Sequence, residues 1–272
     1  MIKNLLEKYQ LRPSRGLGQN FLIDKRIVNK VIRAADLGPE DTVLEIGPGL
    51  GVLTQELAKK TKEIIAVEKD PNLARILGNE LRVRKVKNTK VIQGDILKIK
   101  NYELFKNSYK VIANLPFYLT APVIRKFLEA DTPPKSMILI IQKEVGQRIC
   151  AKPPRMNLLA VSVQFYSQPK IISYVSRNSF WPRPKVDSAI IKISRICKNP
   201  PQINVDFFFK VVKAGFSQPR KQLINNLSKK LRIDKIKVES WLWKNNIQPS
   251  QRAETLDVKS WVKLTKSFEI NR

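Results

Sequence analysis

A glycine-rich segment, Glu45–Gly51, separates a short β-branched run from a helical pattern that begins near Val52. Glycines in such a turn let the backbone approach a ligand closely, and the amides at the start of the next helix add hydrogen-bond donors. The spacing is G-x-G-x-G, whereas dinucleotide folds use G-x-G-x-x-G, so a nicotinamide enzyme is disfavoured. The segment predicts a ligand site or, alternatively, a turn that only packs a strand on a helix.

Two carboxylates follow later strands. Glu68 ends the run 64–67, where it could accept hydrogen bonds from both hydroxyls of a ribose, and Asp95 ends the run 91–93, where it could accept the exocyclic amine of an adenine. Either acid alone is ordinarily a solvated loop residue or a cap. Because the ends of parallel strands line one crevice, the two acids and the glycine segment together predict a site for an adenosine-containing cofactor.

The segment Asn114-Leu115-Pro116-Phe117 predicts the reaction. The amine of a nucleobase is a poor nucleophile because its lone pair is delocalised into the ring, and an Asn oxygen with a backbone carbonyl could accept its two N–H bonds and favour a tetrahedral nitrogen. Pro116 would fix the turn, and Phe117 would stack on an extruded base. The alternative is that Pro116 and Phe117 only end a strand and plug the core.

The chain has no histidine and two cysteines, Cys150 and Cys197. Ser-His-Asp and Cys-His catalysis are therefore excluded. The cysteine spacing fits no zinc or iron–sulfur site, so no metal is expected.

The elements that position these residues form an alternating pattern. Short β-branched runs alternate with helical patterns, which predicts a parallel sheet with helices on both faces. The predicted strands are 43–46, 64–67, 91–93, 111–113 and 137–141, followed by 170–176 and 188–194. The predicted crossover helices are 52–60, 71–81 and 121–129, the last with Thr120 as its N-cap.

A change of pattern follows Cys197, where Asn199-Pro200-Pro201 marks a domain boundary. Helices are predicted at 205–215, 222–230, 235–245 and 258–268. The sequence thus divides into domains 1–197 and 198–272, and removal of the second should leave cofactor binding intact. Residues 196–272 hold 16 Lys and Arg against 6 Asp and Glu, an excess suited to contacting phosphates.

Charge and hydropathy indicate the partner and the compartment. The whole chain carries 51 Lys and Arg against 23 Asp and Glu, a net charge of +28, which favours nucleic acid as partner. A membrane surface is the rival, but the cations are spread along the chain rather than gathered on one amphipathic helix. The start has no secretory signal pattern, and the longest strongly apolar run, 137–141, is too short to span a bilayer, so a cytoplasmic protein is expected.

A series of motifs in order along the chain closely resembles the ribosomal RNA adenine N6,N6-dimethyltransferases of the small-subunit type, the KsgA/Dim1 group. The resemblance spans nearly the whole chain and is carried by 17–22, 45–51, 67–68 with 94–95, 114–117, 142–145, 180–188 and 252–256. It implies a Rossmann-like class I methyltransferase sheet, α/β with helices on both faces, and a small all-helical C-terminal domain that binds RNA. It also implies a monomer that takes S-adenosylmethionine and modifies small-subunit rRNA or a pre-30S particle.

The resemblance also implies roles for individual residues. In the family, two methyls are added to each of two adjacent adenines in a hairpin loop near the 3′ end of the small-subunit RNA. The residues expected to bind the cofactor are Gln19, Asn20, Leu22, Gly47, Gly49, Glu68, Asp95 and Asn114. The catalytic segment would be Asn114, Leu115, Pro116 and Phe117, and the residues that contact RNA would be Arg183, Lys185, Arg220 and Lys221.

Three positions depart from the family pattern. Phe117 stands where small-subunit enzymes more often carry Tyr, Pro219 stands where a first Arg is usual, and a Tyr-Gly pair is missing near Asn157. A 23S rRNA methylase of the erythromycin-resistance type is therefore the runner-up. A non-catalytic nucleic-acid-binding protein on the same fold is disfavoured, because it would not need Glu68, Asp95 and Asn114 together.

Overall fold

The computed structural model describes residues 8–11, 13–14, 16–100, 108–197 and 203–269. Its strands are β1 (Phe21–Leu22), β2 (Thr42–Ile46), β3 (Glu63–Glu68), β4 (Thr89–Gln93), β5 (Lys110–Asn114), β6 (Ser136–Gln142), β7 (Gln168–Val175), β8 (Phe180–Trp181) and β9 (Ser188–Ser194). Its helices are α1 (Lys25–Ala35), α2 (Val52–Ala58), α3 (Pro71–Val83), α4 (Thr120–Leu128), α5 (Lys143–Ile149), α6 (Leu158–Tyr166), α7 (Val205–Gly215), α8 (Leu223–Leu231), α9 (Lys235–Lys244) and α10 (Val258–Glu269).

The chain divides into two compact units, and the first comprises the described residues of Met1–Gly146 and Gln168–Lys198. Seven of its strands form one sheet in the order β4-β3-β2-β5-β6-β9-β7. Strands β2 to β6 pair in parallel, whereas β9 runs antiparallel between β6 and β7. The predicted α/β fold with a parallel sheet is confirmed, and all seven predicted strands are present.

The central strands are buried on both sides, as β6 illustrates, since only its last residue is partly exposed. Such strands need helices on both faces, and this requirement explains why their sequences are continuous apolar runs. Helix α1 packs on β6, β7 and β9 with a stripe of buried side chains that sequence reasoning did not identify: Ile27, Val28, Val31, Ile32 and Ala35. The Asp24 side chain caps α1 by accepting the Arg26 amide.

The start of α4 differs from the prediction. Thr120 is the first residue of the helix rather than its N-cap, which is Leu119. A short 3-10 turn, Phe117–Leu119, leads directly into α4, so no side-chain cap is needed there. The Thr120 hydroxyl is buried and lacks a hydrogen-bond partner among the described residues.

The second unit comprises the described residues of Gln147–Ser167 and Asn199–Arg272. It contains the four helices predicted for the C-terminal region, but it also takes in 147–167, which the sequence boundary at 197 assigned to the first domain. The reason is packing: Phe165 of α6 stacks on Phe208 of α7 with ring centroids 4.2 Å apart, and both belong to one buried cluster. The Asn199-Pro200-Pro201 segment lies outside the described residues.

No helix within the described ranges is both long and apolar enough to cross a membrane.

Candidate functional site

The glycine loop joins β2 to α2 at the carboxyl edge of the sheet. Gly47, Gly49 and Gly51 all have positive φ, at 66°, 57° and 76°. A Cβ on Gly51 would lie 2.5 Å from Leu77 Cδ1, and one on Gly49 would lie 3.1 Å from the Phe21 ring. The positive φ angles favour glycine at all three positions, and the neighbouring side chains leave little room for a Cβ at Gly49 and Gly51.

Glu68 ends β3 beside this loop and holds it in place. Its carboxylate accepts the Gly49 amide at 3.0 Å and the Asp70 amide at 2.9 Å. Burial raises the pKa of Glu68, while the two backbone hydrogen bonds act in the opposite direction. The residue predicted to bind a ribose is thus also a support for the loop.

Glu45, within β2, is a buried acid to which sequence reasoning gave no role. Glu45 lines the cavity that is described below. Its Oε2 is buried and has no hydrogen-bond partner among the described residues. Burial raises the pKa of Glu45 to about 8, with the nearby Glu68 adding to the shift. A charged residue inside an otherwise apolar strand was the signal that could have drawn attention to it.

Asp95, just beyond β4, is paired with Lys69, which sequence reasoning missed. Lys69 Nζ lies 3.0 Å from Asp95 Oδ2, and the Leu97 amide donates to Oδ1 at 3.0 Å. The hydrogen bond to Lys69 is the largest cause of the lowered pKa of Asp95. This carboxylate is therefore held ionised, the form that accepts hydrogen bonds.

Asn114 ends β5 and contacts the N-terminal segment. Its amide nitrogen donates to the Asn20 carbonyl at 2.9 Å. No hydrogen bond to the Asn114 amide oxygen is found within the described ranges, so this acceptor is open to another donor. The contact fixes which end of the amide serves as acceptor.

The N-terminal segment is tied to α3 at two places. The Gln19 side chain donates to Asp70 Oδ2 at 3.0 Å, and the Tyr9 hydroxyl donates to Glu80 Oε1 at 2.8 Å. These bonds hold Asn20 against the carboxyl edge of the sheet, although it lies 94 positions from Asn114 along the chain.

Phe117 projects from the 3-10 turn that follows Pro116. It is 42% exposed, and the adjacent Tyr118 is 49% exposed. The predicted alternative, in which Phe117 plugs the core, does not fit this exposure. Leu115, by contrast, is buried, and its amide donates to the Ile140 carbonyl of β6 at 3.0 Å.

One cavity of about 120 Å³ collects these residues. Its lining includes every predicted cofactor-binding and catalytic residue: Gln19, Asn20, Leu22, Gly47, Gly49, Glu68, Asp95, Asn114, Leu115, Pro116 and Phe117. Among the residues predicted to contact RNA, Arg183 and Lys185 are exposed on either side of Pro184, which lines the cavity. Arg220 and Lys221 are exposed in the second unit.

Within the described residues, no group of three or more His, Cys, Asp or Glu side chains could hold a metal ion. The cavity instead offers carboxylates, an amide and the backbone groups of the glycine loop. This donor set suits a neutral or cationic organic molecule with hydroxyl and amine groups.

The sheet order, with antiparallel β9 inserted between β6 and β7, and the glycine loop at its carboxyl edge define a Rossmann-like class I methyltransferase. The family model for ribosomal RNA adenine dimethylase matches residues 11–269. The chain belongs to this family.

Similar proteins agree with this membership. The chain is 43% identical to ribosomal RNA small subunit methyltransferase A of Dehalococcoides mccartyi, over 99% of this chain and 93% of the relative. It is also 43% identical to the protein of the same name from Clostridium botulinum, over 97% of this chain and 96% of the relative.

Two solved structures share the fold over nearly their whole length. A dimethyladenosine transferase from Plasmodium falciparum superposes with a TM-score of 0.77 at 25% identity, covering 92% of this chain and 98% of that one. The 23S rRNA methyltransferase ErmE superposes with a TM-score of 0.76 at 25% identity, covering 92% and 100%. Fold similarity alone therefore does not separate the two kinds of RNA target.

Proposed function

We propose that this protein transfers methyl groups from S-adenosylmethionine to N6 of two adjacent adenines in a 3′-terminal hairpin loop of 16S rRNA, during assembly of the small subunit. The observation that carries the proposal is the convergence of Glu68, Asp95 and Asn114 on one cavity in a member of the rRNA adenine dimethylase family. The names of the relatives at 43% identity support the small subunit as the target.

The residues of the cavity fit the cofactor. Glu68 would accept the ribose hydroxyls and Asp95 the adenine amine, while Gly47 and Gly49 would let the backbone approach the methionine part. The buried Glu45 oxygen without a partner offers a further polar contact to whatever fills the cavity. Gln19, Asn20 and Leu22 would cover the ligand from the N-terminal segment.

Bound S-adenosylmethionine supplies an electrophilic methyl group on a sulfonium. Asn114 Oδ1 and the Leu115 carbonyl or a neighbouring backbone carbonyl would accept the N6 hydrogens of the target adenine, so that its lone pair is localised. The cofactor would supply the methyl group and keep the electron pair of its former S–CH₃ bond, while the amine oriented by Asn114 would release one N6 proton to water. The step needs no charged base, in keeping with a chain that lacks histidine.

Phe117 would hold the extruded base by stacking, for which its exposure beside the cavity is suitable. Arg183 and Lys185 would contact phosphates near the target, and Arg220 and Lys221 would contact phosphates from the second unit. A monomer without a metal ion, acting in the cytoplasm on a pre-30S particle, would suffice for this function.

The decisive experiment is in vitro methylation of 30S and 50S particles that lack these marks, followed by mass spectrometry of the adenines. Dimethyladenosine at two adjacent positions of 16S rRNA is the expected result. Methylation of 23S rRNA alone would instead assign the protein to the erythromycin-resistance type. The fold allows this outcome, since the 23S rRNA methyltransferase ErmE shares it. Cofactor-free RNA binding with no methylation of either particle would favour a non-catalytic role.

A further inference from the structure

Two large apolar side chains of α9 are exposed to solvent. Ile236 is 76% exposed and Trp243 is 55% exposed. The two are seven positions apart and therefore share one face of the helix, opposite the buried Val238, Trp241 and Leu242. An amphipathic helix ordinarily places polar residues at these positions, so the two apolar groups leave a small apolar surface that a ligand could cover.

Cations flank this pair, which we call the α9 ridge (Ile236 and Trp243). Lys237 and Lys244 each follow a ridge residue by one position, so they form a second row about 100° around the helix. Lys235 lies on the opposite side of the ridge, together with Glu239. None of these three lysines forms an ion pair within the described part of the chain, so their charges are available to a partner.

We infer that the α9 ridge is an RNA-docking surface, on which an unpaired nucleobase stacks against Trp243 while Lys237 and Lys244 contact the adjoining phosphates. The inference rests on the proposed function, which makes RNA the substrate. This surface lies in the second unit and contains none of the residues named above for RNA binding.

Charge and size favour RNA over a protein as the occupant. The cations beside the ridge complement a polyanion, and the chain as a whole carries a net charge of +28. Two exposed apolar side chains are too small a patch for a stable protein interface, which buries about 800 Å² on each partner. A single base, however, can be held by one aromatic face.

The first test compares Trp243→Ala and Trp243→Phe in the full chain, with undermethylated 30S particles as the probe. Trp243→Ala should raise the Kd for the particles by about 5- to 150-fold, the loss expected when one base–aromatic stack is removed. Trp243→Phe should restore most of the affinity because it keeps an aromatic face. The Kd for S-adenosylmethionine and the melting temperature should not change. Ile236→Ala should also raise the Kd for the particles. Val83→Ala is its matched control and should not, since Val83 is also 76% exposed but lies on α3 in the first unit.

The second test concerns charge. The double variant Lys237→Gln/Lys244→Gln should reduce the slope of log affinity against log salt by about 1 for each lysine that contacts a phosphate. Lys85→Gln/Lys87→Gln makes the same charge change just after α3, and its salt slope should match that of the wild type.

Three outcomes would overturn the inference while leaving the proposed function intact. One is wild-type affinity for 30S particles in Trp243→Ala. Another is a Lys237/Lys244 variant whose salt slope equals that of its Lys85/Lys87 control. A loss of affinity for particles but not for naked 16S rRNA would be the third, since it would assign the ridge to a ribosomal protein. A wild-type protein that methylates neither particle would instead refute the proposed function.

Discussion

Glu68 supports the glycine loop and is proposed to bind the ribose of the cofactor, so the choice of variant must separate the two roles. Replacement by Ala would leave the Gly49 and Asp70 amides without their acceptor. Each carboxylate oxygen of Glu68 accepts one of these amides, so Glu68→Gln keeps an acceptor for only one of them and removes the charge. It should weaken S-adenosylmethionine binding by about 1.5–3 kcal/mol for each charged hydrogen bond lost. Calorimetry measures this. An unchanged dissociation constant in a folded Glu68→Gln variant would remove Glu68 from the cofactor site, and Glu68→Ala should show an added loss of melting temperature.

Substitutions of Asn114 and of Phe117 are expected to reduce methylation for different reasons. Asn114→Ala should lower single-turnover methyl transfer about 100-fold or more, as for loss of one oriented group in the transition state, with little change in RNA affinity. Phe117→Ala should lose about 1–3 kcal/mol of stacking energy on the extruded base. The loss should appear as lower turnover with the target adenine. Phe117→Tyr serves as the control because it keeps the aromatic face. If Phe117→Ala were fully active and Phe117→Tyr inactive, the stacking role would be wrong.

Glu45 makes stability depend on pH. Its pKa is about 8 in the folded protein against an ordinary value of 4.5, because burial disfavours the charged form. Between these two pKa values the carboxyl of Glu45 is ionised in the unfolded chain and protonated in the folded chain. The free energy of unfolding should therefore fall as pH rises from about 5 to 8, by up to about 1.4 kcal/mol per pH unit. Above about pH 8 it should level off.

Glu45→Gln removes this dependence without removing the shape of the side chain. The melting temperature of the wild type relative to Glu45→Gln should therefore decline across pH 5 to 8. A difference that stays constant over this range would mean that Glu45 is ionised in the folded state. Glu68, whose pKa is also raised, is present in both proteins, so only its electrostatic interaction with Glu45 enters the difference.

At the scale of elements, the junction of β2 and α2 depends on glycine for backbone and space together. Gly51→Ala would force an L side chain into φ of 76° and place Cβ 2.5 Å from Leu77 Cδ1, so a loss of about 1–3 kcal/mol of stability is expected. Gly78→Ala in α3 is the matched control, since nothing lies within 4 Å of its added Cβ. It should stabilise the helix by about 0.5–1 kcal/mol. Denaturant unfolding of both variants tests the pair, and equal stabilities would contradict the close approach.

Across the whole molecule, the division into units changes what a truncation should do. Removal of 199–272 would strip α7 to α10 from α6 and expose Met156, Val161 and Phe165, which are buried in the shared cluster. The fragment 1–198 is therefore expected to aggregate rather than bind cofactor as a soluble domain. Size-exclusion chromatography with a dye that binds exposed apolar surface measures this. A monodisperse fragment with full cofactor affinity would show that α6 does not need its helical partners.

The sequence alone determined the features that are local. The strands from β2 to β6 are continuous β-branched runs, and the C-terminal helices show a 3.6-residue period, so each could be located without knowing its neighbours. The glycine loop, Glu68, Asp95 and Asn114 could be placed on one edge because the ends of parallel strands meet there. Helix α1 has a buried stripe of the same kind and could have been found by the same reasoning.

Only the tertiary structure decided the features that depend on distant contacts. The ion pair between Lys69 and Asp95 and the hydrogen bond between Asn114 and Asn20 join segments that are far apart in sequence. No local sequence pattern predicts such contacts. The raised pKa of Glu45 follows from burial by surrounding elements rather than from its own strand. Residues 147–167 belong to the second unit because the partners that bury α6 arrive about 40 residues later in the chain. The periodicity of a sequence identifies which face of an element is buried. Which other elements bury that face is decided by the packing of the whole chain.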